Sequence, residues 1–203
     1  MQFTELGSGF KIAMRDLEIR GAGNVLGAEQ HGHMDKVGYE LYSKMLKEEI
    51  SGESSASVEL DIKATAYIPE NYIESPAGRM DCYKQIAEIR TAKDYNRVYL
   101  SIEENYGKLP KEVLSLLTIA VLKAYASRFA VAKIGVSAKE AYLEFASLQA
   151  LGNKKLNGAM DAYSSEIQVS MTNLPRINFR PQSNPAASML MMTKFLKFAV
   201  SFT

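Results

Sequence analysis

A single cysteine, Cys82, serves the whole 203-residue chain, so an internal disulfide is excluded and a reducing compartment, the cytoplasm, is expected. The only imidazoles are His31 and His33. Two histidines without a companion cysteine or a fitting carboxylate pattern fall short of a closed metal-ligand set, and no metal site is expected. No apolar run reaches the roughly 20 residues that span a bilayer, and no charged leader precedes an apolar stretch, so neither a membrane segment nor a secretory signal is expected. Charge of one sign is missing too. The net charge is +1 with both signs interspersed and a slightly acidic first fifty residues, whereas phosphate neutralisation needs clustered Lys and Arg. There is no Gly-x-x-x-x-Gly-Lys-Ser/Thr loop, and Gly21 to Leu26 fails as a dinucleotide fingerprint because its sixth position is Leu. No carboxylate pair stands out for acid-base work, and Cys82 has no histidine partner. The residues therefore offer no catalytic group and no cofactor site of their own.

The most informative stretch runs from Phe10 to Gly32. Phe10, Ala13, Met14 and Leu17 fall at i, i+3, i+4 and i+7, one apolar face of a helix that Ser8 or Gly9 can cap. Gly21, Gly23, Gly27 and Gly32 then arrive around Asn24 and Gln30, so the backbone bends or closely approaches another surface. Arg15 and Arg20 flank that bend. By themselves they read as charges at a helix end; guanidinium groups so placed are also suited to gripping carboxylates or phosphates.

The run RDLEIRGAGNVLGAEQHGH, residues 15–33, resembles the translocation motif shared by RecG-type helicases and the transcription-repair coupling factor (Mfd) family. The resemblance implies that Arg15 and Arg20 couple a motor to movement along duplex DNA, that Gly21 and Gly23 form the bend, and that Gln30 and Gly32 form the hook. His31 stands where the family commonly has Ser. It also implies an ATPase motor before this stretch, using ATP and Mg in the intact protein, with Met1 to Leu6 as the tail of a helix begun upstream.

After the hook, Tyr39 to Ile50 is expected to be a helix with Tyr42, Met45, Leu46 and Ile50 on one stripe, and the polar, small residues 51–57 a linker. From Val58 the period becomes two: Val58, Leu60, Ile62, Ala64 and Ala66 read as the buried side of a strand. Helices are expected from Ser75-Pro76 to about Arg90, with Met80, Tyr83, Ile86 and Ala87 inward, from a Thr91 capping box to Gly107, and from Pro110 to Phe129. Strands are expected over 131–136 and 141–145, short helical pieces over 147–151 and 156–163, strands over 166–171 and 176–179 around an Asn173-Leu174-Pro175 turn. Asn184-Pro185 opens a last helix to about Ser201, apolar on nearly every side and so expected to be buried.

The segments VELDIKATAYIPENYI, RMDCYKQIAEIRTAKD, YGKLPKEVLSLLTIAVLKAYASRFAVAKIGV and AYLEFAS resemble the module that follows the motor in the coupling factors and that RecG helicases lack. This implies a regulatory domain that folds back on the UvrA-binding module of the same polypeptide, with duplex DNA, RNA polymerase and UvrA as partners of the intact protein. The expected architecture is α+β: a helical and hook remnant (1–50), a linker (51–57), and a mixed domain (58–203) with antiparallel strands and about five helices. The rival readings are an independent nucleic-acid-binding or protein-interaction module and a small enzyme built on His31, His33 and Cys82.

Overall fold

The computed structural model describes residues 58–171 and 174–201. The expectations for Arg15, Arg20, Gly21, Gly23, Gln30, His31, Gly32 and His33, for the helix over 39–50 and for the linker lie outside those residues.

Alternation at Val58, Leu60 and Ile62 produces β1 (Glu59–Ile62), shorter than the strand expected to Ala66. Its neighbour ends first. The last rung is Lys63 N–H donating to the Val136 carbonyl at 2.8 Å, yet burial at Ala66 and Ile68 continues the inward rhythm without a ladder.

Three helices follow. In α1 (Pro76–Ala87) the Ser75 hydroxyl accepts from Gly78 N–H at 3.2 Å, and Cys82 and Ile86 turn inward while Met80, Tyr83 and Ala87 are half-buried. It stops three residues before Arg90, which folds its own guanidinium onto the carbonyls of Ala87 (2.6 Å) and Ile89 (3.0 Å). The Thr91 capping box forms as expected: Asp94 N–H donates to the Thr91 hydroxyl at 3.2 Å, Thr91 N–H to the Asp94 carboxylate at 3.0 Å. The Thr91 hydrogen bond, ahead of the backbone ones, holds the Asp94 carboxyl below its ordinary value. That cap opens α2 (Ala92–Tyr106), closed by Gly107 at φ +81°, where a side chain would be strained. Of the apolar face expected from spacing, α3 (Lys111–Ala126) buries Val113, Leu116, Leu117, Ala120 and Val121 but leaves Ala124 half-buried, and it adds Leu122 and Tyr125. Its final turn, Ser127–Phe129, tightens to a 3-10 helix before left-handed Ala130.

The chain then forms β2 (Val131–Val136), β3 (Ala141–Phe145), the one-turn helix α4 (Leu148–Leu151), α5 (Lys154–Ala162), β4 (Ile167–Ser170), β5 (Arg176–Phe179) and α6 (Pro185–Ser201). The described residues hold six α-helices, one at each helical stretch read from the sequence and in keeping with the expected count of about five. The five strands make one mixed sheet in the order β1-β2-β3-β5-β4, antiparallel except for β1 beside β2. That pair is parallel because α1 to α3 carry the chain back across the sheet, as a parallel crossover requires.

α6 packs on α3 and α5 and reaches β2 and β3. Phe195 sits edge-on against Tyr163 (5.5 Å) and Phe179 (5.2 Å), and its full burial contributes about 1.5–3 kcal/mol. The expectation of burial on nearly every side needs correcting. Met189, Met192, Leu196 and Ala199 are covered, but Leu190 is 50% exposed and Phe198, edge-on to Tyr163 at 5.9 Å, is 38% exposed.

Candidate interaction surface

Strand register sorts the side chains into two faces. Leu60, Ile134, Leu143 and Ile177 align across β1, β2, β3 and β5 and join the continuous apolar core with the helices. Their neighbours one residue away align on the opposite face. One row there reads Glu59, Lys133, Glu144, Arg176, Ser170; the next reads Asp61, Gly135, Tyr142, Asn178, Gln168. The first row alternates in sign across four strands.

The pairs are made. Lys133 Nζ lies 2.8 Å from Glu59 Oε1, while Arg176 grips Glu144 Oε2 through Nε (2.7 Å) and a terminal nitrogen (2.6 Å). Cross-strand pairs of opposite charge contribute roughly 0.2–1 kcal/mol each, so the row mainly fixes positions. Glu144 is buried and its partner half-exposed, so Arg176 holds the carboxylate in place. The Glu59 contact holds the Lys133 ammonium above its ordinary value, and it stays charged at neutral pH.

Tyr142 is the centrepiece. It is buried yet stands apart from the core cluster, with its ring 4.4 Å beneath the Arg176 guanidinium. Burial pushes its phenol up against the opposing pull of Lys133 and Arg176, so it stays protonated. The ring lies where a side chain at residue 135 would stand: a Cβ on Gly135 would come 2.1 Å from Tyr142 Cε1. Glycine is required there by close approach, the usual reason for glycine inside a strand.

This surface has charges, a protonated phenol and amides, but no activated nucleophile. Cys82 lies elsewhere, on the buried side of α1, with burial and then Asp81 pushing its thiol up against a hydrogen bond with Tyr106. That environment fits packing, not nucleophilic chemistry. Among the described residues no group of three or more His, Cys, Asp or Glu could hold a metal, and no helix is long and apolar enough to cross a membrane. The arrangement is suited to recognition. Sequence reasoning missed Glu59, Lys133, Gly135, Tyr142, Glu144 and Arg176; the available signal was a lone glycine within an otherwise regular strand pattern.

Residues 62–156 match the family model of the TRCF domain. The transcription-repair-coupling factor of Bacillus subtilis (strain 168) is 48% identical over 132 residues, covering 62% of this chain and 11% of that protein. The one from Borreliella burgdorferi is 35% identical over 161 residues, covering 76% and 14%. The chain is similar to transcription-repair coupling factors over most of its length. The Staphylococcus haemolyticus member is 36% identical over 165 residues, 77% of this chain and 14% of the relative. This chain therefore spans only about a seventh, or less, of the length of these coupling factors. The fold agrees with a solved structure, the crystal structure of the C-terminal domain of transcription-repair coupling factor: TM-score 0.61 at 21% identity, over 74% of this chain and 94% of that one.

Proposed function

We propose that this chain is the C-terminal part of an ATP-dependent DNA translocase that couples transcription to nucleotide excision repair, and that residues 58–203 act as a lid over the UvrA-binding module of the same polypeptide. The observation carrying the lid is the ordered polar face, Glu59, Lys133, Glu144 and Arg176 around Tyr142. A lid must hold and also let go. Inter-domain contacts that move are more polar than permanent ones, and a complementary pattern of charges sets register without making release slow. Tethering raises the effective concentration, so a modest interface keeps the module covered until the motor engages RNA polymerase. Removing residues 58–203 from the intact protein should raise its affinity for UvrA in the absence of polymerase by at least about ten-fold. Equal affinity with and without them would end this reading.

Residues 1–33 serve as the lever in the same proposal. Arg15 and Arg20 exchange polar contacts as the motor lobes close on ATP and Mg, Gly21 and Gly23 supply the bend, and Gln30 and Gly32 the hook that passes the shift to the duplex-gripping surface. The support is the motif itself. Arg20→Ala in the intact protein should leave ATP hydrolysis running while translocation along duplex DNA stops, with the melting temperature of the 203-residue chain unchanged; a large drop in that temperature would make Arg20 a structural residue instead.

A further inference from the structure

The two edges of the sheet are treated differently. β1 carries Glu59 and Asp61 on its four residues, and charged side chains of this kind keep an edge from pairing with foreign strands. β4, at the other edge, reads Ile-Gln-Val-Ser with neither charge nor proline. Among the described residues it pairs on one side only, with β5. Val169 aligns with Ile177 and Leu143 on the helix-covered side, yet it is 41% exposed because the row ends there. Met171 and Leu174, just beyond, are 71% and 53% exposed. Among the described residues the edge is thus uncharged, with the exposed side chains of Val169 and Met171 along it.

We propose that β4 is a pairing edge for a second copy of this chain, joining two five-stranded sheets antiparallel about a two-fold axis near Val169. The main chain selects the class of occupant, since a row of unpaired N–H and C=O groups is satisfied by another strand. Charge selects the copy. A strand facing its own copy sets like residues near one another, which would oppose acids across β1 but opposes none across neutral Ile167–Ser170. The two-fold brings the Val169 side chains together and lays Met171 against Ile167 of the other copy, covering the exposed patch. Four residues of strand make a small interface, so the dimer is weak and concentration-dependent, dissociating at roughly 10–100 µM.

Sedimentation equilibrium of the 203-residue chain between about 5 and 500 µM tests this, with amide exchange followed over the same range. The expected result is a monomer–dimer equilibrium in which amides of residues 167–170 exchange more slowly as concentration rises. Val169→Lys should raise the dissociation constant at least about ten-fold, the size of effect expected when a charge enters an apolar contact. Should that variant fold poorly by circular dichroism, Met171→Lys, outside the ladder, should weaken the dimer in the same direction. Leu190→Ser on the outer side of α6 should leave it intact. A monomer at every concentration, a dimer indifferent to both lysine variants, or a dimer lost with Leu190→Ser would each overturn the proposal.

Discussion

Gly135→Ala should destabilise the domain by about 1–3 kcal/mol, the range in which extra atoms forced into a packed site fall. The new Cβ would stand 2.1 Å from Cε1 and 2.2 Å from Cζ of Tyr142. No contact survives at that distance. Either the ring leaves its place beneath Arg176 or strands β2 and β3 shift apart, and both alternatives lose packing that the wild type has. Urea unfolding should show a lower midpoint with an unchanged slope. Tyr142→Ala empties the space, so adding Gly135→Ala to that background should cost nothing or stabilise slightly, since alanine restricts the unfolded chain more than glycine. A double-mutant cycle separates these outcomes. Equal costs in both backgrounds would mean that glycine is needed for the strand itself and not for the ring above it.

What could be read from the chain alone follows how local each feature is. Ser75-Pro76, the Thr91–Asp94 box and Gly107 act on neighbours within four residues, and the helices they delimit stand nearly where spacing put them. Strands 131–136, 141–145 and 176–179 are likewise where alternation placed them. The parallel pairing of β1 with β2 depends on α1 to α3 folding between them, a fact no window of sequence contains. The charged row is hidden for the same reason. Glu59, Lys133, Glu144 and Arg176 are ordinary solvent-side residues of four separate strands until pairing order sets them side by side. α6 shows a third kind of difficulty: composition made it apolar, but which of its residues meet α3 and which stay bare is decided by what packs around it. The family resemblance reached further than periodicity did, because it rests on runs of specific residues and not on their polarity.

The larger functional effect should come from exchanging the two charges of the outermost pair in the row. Exchanging Glu59→Lys for Lys133→Glu keeps an ion pair at the same two positions, both partly exposed, and changes the places of the charges offered outward, while setting a carboxylate opposite Glu144 costs roughly 0.2–1 kcal/mol, which urea unfolding of the variant measures. Like charges brought face to face across an interface cost several kcal/mol. A lid that docks through this face would therefore fail to close. Glu144 and Arg176 suit the experiment less well, because Glu144 is buried and a reversed charge there would confound folding with docking.

For the proposed lid the decisive measurement is the UvrA affinity, without RNA polymerase, of the intact polypeptide with the Glu59 and Lys133 charges exchanged. On the present account it rises on the order of 10–100-fold, close to the value for protein lacking residues 58–203. If the exchanged protein folds and still binds UvrA no better than wild type, while the truncated one binds well, this sheet face is not the one that covers the module.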